Sequence, residues 1–322
     1  MKAVLFDQPG EADVLYVGEH PAPQPGTDEL LVRAHATALN RADLLQRRGG
    51  YPPPPGASSI VGLELAGEVV EGAGRWQPGD RVMALVTGGG YAELAAVPLQ
   101  TAMPIPANLS FEEAACIPEA FLTAYLNLFM LGRLQAGEAV LIHAGASGVG
   151  TAAIQLARAA GARVFTTAGS DEKRQRCEAL GADMAIDYHS LDFAQRVLEA
   201  TDGRGVDVVL DFVGASYWNQ NMTALARGGR LMLIGFLGGS RGELDLGPVM
   251  RKHLTITGTT LRPMPLPQKA ALVEAFSEFT LHRFETGELI PVLDSVYPLE
   301  QAAAAHRAME ANANFGKIVL QI

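Results

Sequence analysis

Cysteine is scarce in this chain: Cys116 and Cys177 are its only two, far apart along 322 residues. Two thiols can neither staple a fold nor build a four-cysteine zinc lobe, so a reducing compartment is expected. Aromatic residues reach only 7%, while hydrophobic residues as a whole make up 48%. A core rich in small residues suits close packing of helices on a sheet. Positive charge is also in short supply, with 25 Lys and Arg against 35 Asp and Glu. That balance argues against nucleic acid or an anionic membrane as a partner. It leaves anionic small ligands open, since a helix N-terminus and a few lysines suffice to bind one. No apolar run is long enough to span a membrane. Residues Met1–Phe6 alternate like a strand and lack the basic-then-apolar layout of a signal peptide. A soluble, cytoplasmic protein is the expectation.

What the chain does have is punctuation, with 35 Gly and 19 Pro. Up to about Pro118, short apolar runs (Ala3–Phe6, Leu30–Ala36, Leu65–Val70, Arg81–Leu85) are separated by PAPQPG, YPPPPG and QPGD. That rhythm predicts a mostly β unit. From about Ala120 to Leu261, apolar runs at 139–142, 164–167, 184–186, 206–210, 231–234 and 254–257 alternate with helical stretches. Such alternation predicts a parallel sheet covered by helices. The remainder reads as helices over 268–282 and 299–311 and a closing strand over 317–322, able to return to the first unit.

The most informative segment is AVLIHAGASGVGTAAIQLAR, residues 139–158. A buried strand runs into Gly145, Ser147, Gly148, Val149 and Gly150, and a helix follows at once. Glycines there allow a tight turn, the approach of a pyrophosphate and close helix–strand contact. The helix N-terminus adds free N–H groups and partial positive charge. Ser147 stands at the middle-glycine position, either bonding the cofactor or filling the turn. The second strand ends in TTAGS, residues 166–170, without the acidic residue that holds a ribose 2′-hydroxyl in NAD enzymes. Ser170 and Lys173 suit a 2′-phosphate instead, so NADPH is the expected cofactor. The plainer reading makes Ser170 a helix cap and Lys173 a surface charge.

GEAVLIHAGASGVGTAAIQLAR (137–158) resembles the signature of the zinc-free, zeta-crystallin-like quinone oxidoreductases, and VGLELAGEVVEGAGRWQPGDRV (61–82) that of the wider medium-chain dehydrogenase/reductase superfamily. With ALNRADL, YPPPPGAS and NFGKIVLQI, the resemblance covers essentially the whole chain and is nearest the stress-inducible, tumour-suppressor-induced subgroup. It implies an α/β fold: a doubly wound parallel-sheet (Rossmann) domain over 120–262 and a GroES-like, mostly β catalytic domain over 1–119, completed by 263–322. It also implies a homodimer, paired through the edge strand near Leu254–Thr260. Zinc alcohol dehydrogenases carry cysteine where this chain has Asn40, a His–Glu pair at Leu63–Glu64, and cysteine near Ala120. Asn, Leu and Ala cannot cage zinc, so metal-assisted alcohol oxidation is not expected. Carried onto matching positions, the resemblance puts Asn40 beside the nicotinamide and has Thr123 open the helix facing the ring. Gly169, Ser170, Lys173 and Tyr188 would surround the adenosine phosphate. The backbone of Gly235-Phe236-Leu237 and Thr259-Thr260-Leu261 would hold the nicotinamide end, with Asn312 or Asn314 closing the site.

The expected reaction is hydride transfer from NADPH to a quinone. The hydroquinone anion can be protonated by water, so a dedicated acid is optional. Tyr51 is a candidate donor to the developing oxyanion, although packing on its neighbouring prolines is the favoured role. His143 and His35 read as packed core residues, Asp43 as structural, and Arg41, Arg47 and Arg48 as a solvated helix face. Cys116 and Cys177 lack an adjacent His and do not read as nucleophiles. The rival readings are an enone or enoyl reductase on the same fold and a non-catalytic, crystallin-like or RNA-associated NADPH-binding protein.

Overall fold

The computed structural model describes residues 1–322. In chain order the first stretch holds β1 (Lys2–Leu5), β2 (Tyr16–Glu19), β3 (Glu29–Ala38), α1 (Arg41–Arg47), β4 (Glu64–Glu71), β5 (Arg81–Leu85), β6 (Leu94–Pro98), β7 (Ala102–Pro104) and α2 (Phe111–Ala115). Next come α3 (Pro118–Tyr125), which continues as a π-helical turn over Leu126–Leu131, then β8 (Ala139–Ile142), α4 (Gly148–Ala159), β9 (Arg163–Ala168), α5 (Asp171–Leu180) and β10 (Met184–Asp187). The chain goes on through α6 (Phe193–Ala200), β11 (Val206–Asp211), α7 (Trp218–Ala224), β12 (Leu225–Leu233), α8 (Gly247–Lys252) and β13 (Thr255–Gly258). It closes with α9 (Leu266–Glu285), β14 (Leu293–Pro298), α10 (Ala302–Glu310) and β15 (Lys317–Gln321). No helix is long and apolar enough to cross a membrane.

These elements form two compact units, Met1–Leu122 with Leu261–Ile322, and Thr123–Thr260. In the first, a seven-stranded sheet has the order β14-β15-β3-β4-β5-β7, with β6 also paired to β3. Alternate residues of β3, β4, β5 and β6, among them Leu30, Val32, Leu65, Val82 and Val97, bury one apolar face. The last strand enters this sheet between β14 and β3, running antiparallel to β3 with Val319 opposite Ala38. That register carries Lys317 toward the residue just past the end of β3, Asn40.

The second unit is a parallel sheet of six strands in the order β10-β9-β8-β11-β12-β13. The strand order reverses between β8 and β11, and in such sheets ligands bind at the carboxyl ends of the strands beside that reversal. Its central strands are buried on both faces: all four residues of β8 and all six of β11 are buried.

Three expectations need correction. Arg47 is not on a solvated face. It is 0% exposed, bonds Gly10 O and pairs with Glu310, because α1 lays that side against α10. His35 is half-exposed, stacked on Phe111 at 4.3 Å beside Glu68, since its side of β3 meets solvent. Thr123 does not open a helix. Pro118, whose fixed φ suits a first helical position, starts α3, and Thr123 lies in its last turn.

Candidate active site

The turn from β8 into α4 is built for close approach. A Cβ at Gly145 would stand 2.0 Å from Thr166 Oγ1, and one at Gly150 would stand 2.3 Å from Ala144 O, so both positions need glycine. Ala144 takes a left-handed φ of 49° to turn the chain. Ser147 caps α4, its hydroxyl accepting from Gly150 N–H at 3.0 Å. Thr151 N–H is taken by Ser147 O, whereas the amides of Gly148 and Val149 have no partner in the chain. Two free N–H groups at the positive end of a twelve-residue helix fit the pyrophosphate of a dinucleotide.

At the carboxyl end of the neighbouring strand, Ser170 caps α5 by accepting from Lys173 N–H at 3.2 Å. A Cβ on Gly169 would come within 2.6 Å of the Tyr188 hydroxyl, so β9 and β10 bring Gly169, Ser170, Lys173 and Tyr188 together. Tyr188 is 41% exposed and packs on His189. Farther along, Leu237 N–H bonds Phe212 O, and Thr259 bonds Leu233 O through its N–H and Asn127 Oδ1 through its hydroxyl. Phe236 and Leu237 are exposed, and Leu261 is buried. His143 is buried between Phe193 and Tyr217, with Nε2 2.7 Å from Asn221 Oδ1, and Asn221 in turn donates to Asp211. Burial pulls its pKa down, so it is a neutral packing residue.

In the other unit the side chain of Asn40 is fully engaged. Its amide donates to Glu64 Oε1 at 2.8 Å and to Ala38 O at 3.2 Å, and its Oδ1 accepts from Lys317 Nζ at 2.7 Å. The Lys317 ammonium also reaches Leu39 O and Glu64 Oε1, each at 2.7 Å, while Glu64 Oε2 accepts from Glu119 N–H at 2.7 Å. Glu64 and Lys317 are both buried, so their charges depend on each other. Below Asn40, Asp43 Oδ2 accepts from Asn40 N–H at 2.7 Å and from the Tyr91 hydroxyl at 3.1 Å. Burial pushes the Asp43 carboxyl up to about 7.

Tyr51 is half-buried with the Arg262 guanidinium 5.4 Å above its ring, and Arg262 also donates to Tyr51 O and Thr87 O. Burial, with Glu119 nearby, raises the Tyr51 pKa. Asn312, in a left-handed turn at φ 54°, accepts from Arg41, and Asn314 donates to Gly316 O. Both cysteines are buried with raised pKa values, Cys177 to about 12, which removes them as nucleophiles. The reading of the residues missed Lys317, Glu119, Arg262 and Lys269. The one available signal for Lys317 was a lysine opening the otherwise apolar KIVL strand.

Residues 26–107 match the model of the alcohol dehydrogenase GroES-like domain, and 148–277 that of the zinc-binding dehydrogenases. The human quinone oxidoreductase is 31% identical over 99% of this chain and 97% of its own length. A mycocerosic acid synthase-like polyketide synthase of Mycobacterium tuberculosis is 34% identical over 98% of the chain. The chain spans only 15% of that synthase's length. Among solved structures, the Escherichia coli quinone oxidoreductase complexed with NADPH superposes with a TM-score of 0.90 at 29% identity, covering 100% of both chains. The CurK enoyl reductase superposes at 0.86 and 29% identity, over 99% of this chain and 98% of its own. With a sheet order, a glycine turn and full-length relatives that agree, the chain belongs to the medium-chain dehydrogenase/reductase superfamily, as an oxidoreductase related to the quinone oxidoreductases.

Proposed function

We propose that this chain is a zinc-free, NADPH-dependent quinone reductase of the zeta-crystallin-like kind, nearest the stress-inducible subgroup. The observation that carries the metal-free reading is that Asn40 and Glu64 already hold a cation, the Lys317 ammonium. Leu63 and Ala120, the other positions that would have to bind zinc, are buried apolar residues. Residues 120–262 are read as the dinucleotide-binding domain, and 1–119 with 263–322 as the catalytic one. When bound, NADPH supplies the hydride. The amides of Gly148 and Val149 would receive its pyrophosphate, within the turn from Gly145 through Ser147 to Gly150. Gly169, Ser170, Lys173 and Tyr188 would take its 2′-phosphate. The remaining family-implied contacts (Asn40, Thr123, Gly235–Leu237, Thr259–Leu261, Asn312 and Asn314) belong to the same proposal. The Lys317–Glu64 pair would fix the Asn40 carboxamide, and Tyr51 would donate to the oxygen where negative charge develops. The active species is proposed to be a homodimer.

The likeness to the CurK enoyl reductase supports a second reading, reduction of an activated C=C bond. The deciding experiment is NADPH and NADH oxidation by the purified protein against a panel of quinones and α,β-unsaturated ketones. Quinone turnover preferring NADPH by tenfold or more is the expected result. Turnover of enones alone would transfer the function to C=C reduction, and equal use of NADH would overturn the role of Ser170 and Lys173.

A further inference from the structure

Around Tyr51 the first unit gathers charges that do not meet. Arg262 and Lys269 are both buried, and neither forms an ion pair. Lys269 Nζ donates to Arg262 O at 2.8 Å and Thr87 Oγ1 at 3.2 Å, while Arg262 Nη2 is buried with no partner. Within electrostatic reach of Tyr51, Arg262 and Lys269 stands Glu119, the second residue of α3, fixed through its backbone N–H to Glu64. Its Oε2 is likewise buried and unpartnered. Buried cations without ion pairs, beside a half-buried carboxyl that has one buried and unpartnered oxygen, are costly as they stand. The arrangement makes sense if negative charge appears on Glu119 only during turnover.

We propose that Glu119 is the proton donor of the reduction, and that Lys269 and Arg262 are positioning residues that stabilise the carboxylate it leaves. The inference rests on the reductase reading above. The hydride carries two electrons from the dihydronicotinamide to the substrate, oxidising one and reducing the other, and leaves an enolate or a hydroquinone anion. The Glu119 O–H bond then breaks, its electron pair staying on the carboxylate, and a new C–H or O–H bond forms on the product. Water returns the proton to Glu119. Protonation of an enolate carbon gains more from such a donor than protonation of a phenolate oxygen does, because water protonates oxygen readily, so losing Glu119 should cost enones more than quinones.

The groups that face Glu119 are consistent with this role. Burial, with the carboxylates of Glu64 and Asp43, raises its pKa to about 8, against the opposing pull of Lys317 and Lys269. Tyr51 and Arg262 complete the set of neighbours that interact with it. The carboxyl therefore holds its proton at neutral pH and can release it within the working range.

The test compares wild type, Glu119→Gln and Glu119→Asp in steady-state kinetics from pH 6 to pH 10, with a solvent isotope effect on each. Glu119→Gln keeps the backbone bond to Glu64, and its fold is checked by thermal melting. Expected for wild type is an enone kcat that falls above a pKa of about 8. Glu119→Gln should lose that limb and at least ~30-fold of enone kcat, at ~2 kcal/mol, with a smaller loss on quinones. Glu119→Asp should retain the alkaline limb. Glu119→Gln with unchanged enone kcat and an unchanged limb would overturn the proposal while leaving the reductase reading intact. Wild type that turns over neither class would overturn both.

Discussion

Buried charges decide the chemistry of single residues here. Lys317 donates to three oxygens, and without it Glu64 would keep a carboxylate in the interior with only Asn40 and the Glu119 N–H to balance it. Removing one member of a buried pair costs ~3–5 kcal/mol, far more than the net worth of the pair itself. Lys317→Met is therefore expected to lose ~3–5 kcal/mol of stability in urea unfolding. Adding Glu64→Gln to that variant should restore part of the loss, because it removes the stranded charge. A double variant as unstable as the sum of its two singles would show that the ion pair is not what matters.

Secondary-structure elements carried most of what the sequence made legible. Every apolar run that reads as a strand lies within or overlaps one: β8, β9 and β11, buried on both faces, read as short apolar runs of four to six residues bounded by turn residues, too short for buried helices. The glycine turn was legible for a different reason: Gly145 and Gly150 sit where a Cβ has no room. The Asn40 network was not legible, because Asn40, Glu64, Glu119 and Lys317 come from four separated segments that only the sheet register and the placement of the start of α3 bring together. Arg47 was misread because a helix of seven residues gives too little periodicity to tell its buried side. At this scale the proposed dimer is also tested. β13 is paired only to β12, so its other edge presents open N–H and C=O groups that a twofold-related copy could extend. Light scattering is expected to give twice the 34.1 kDa chain mass, and a value near 34.1 kDa at micromolar concentration would refute the pairing.

The stability of the whole molecule should depend on pH in a direction set by Asp43, Glu119 and His306. Asp43 and Glu119 are raised from 3.8 to about 7 and from 4.5 to about 8, chiefly by burial, so the folded chain holds protons there that the unfolded chain has released. His306, buried beside Arg47, is lowered from 6.5 to about 3, so it stays neutral where the unfolded chain would protonate it. Between pH ~4.5 and ~6.5 the folded state therefore binds two extra protons and lacks one. From these groups alone, stability falls as pH rises, by ~1.4 kcal/mol per unit. Above pH 6.5 the His306 contribution ends, and the fall continues until Asp43 and then Glu119 ionise in the folded chain. Asp43 faces Lys317 and Tyr91 as well as Glu64, and replacing it with Asn removes one of the two carboxyl contributions while keeping an acceptor for Asn40 N–H. Urea unfolding of Asp43→Asn and wild type at pH 5 and pH 8 measures that contribution alone. The difference should shift in favour of the variant by a few kcal/mol as pH rises, because only the wild type must bury a new anion (~1.4 kcal/mol per pH unit between the two pKa values). A difference that stays constant across that range would mean that Asp43 is already ionised in the folded protein at pH 5, and that its contacts with Tyr91 and Asn40 outweigh the cost of burying it.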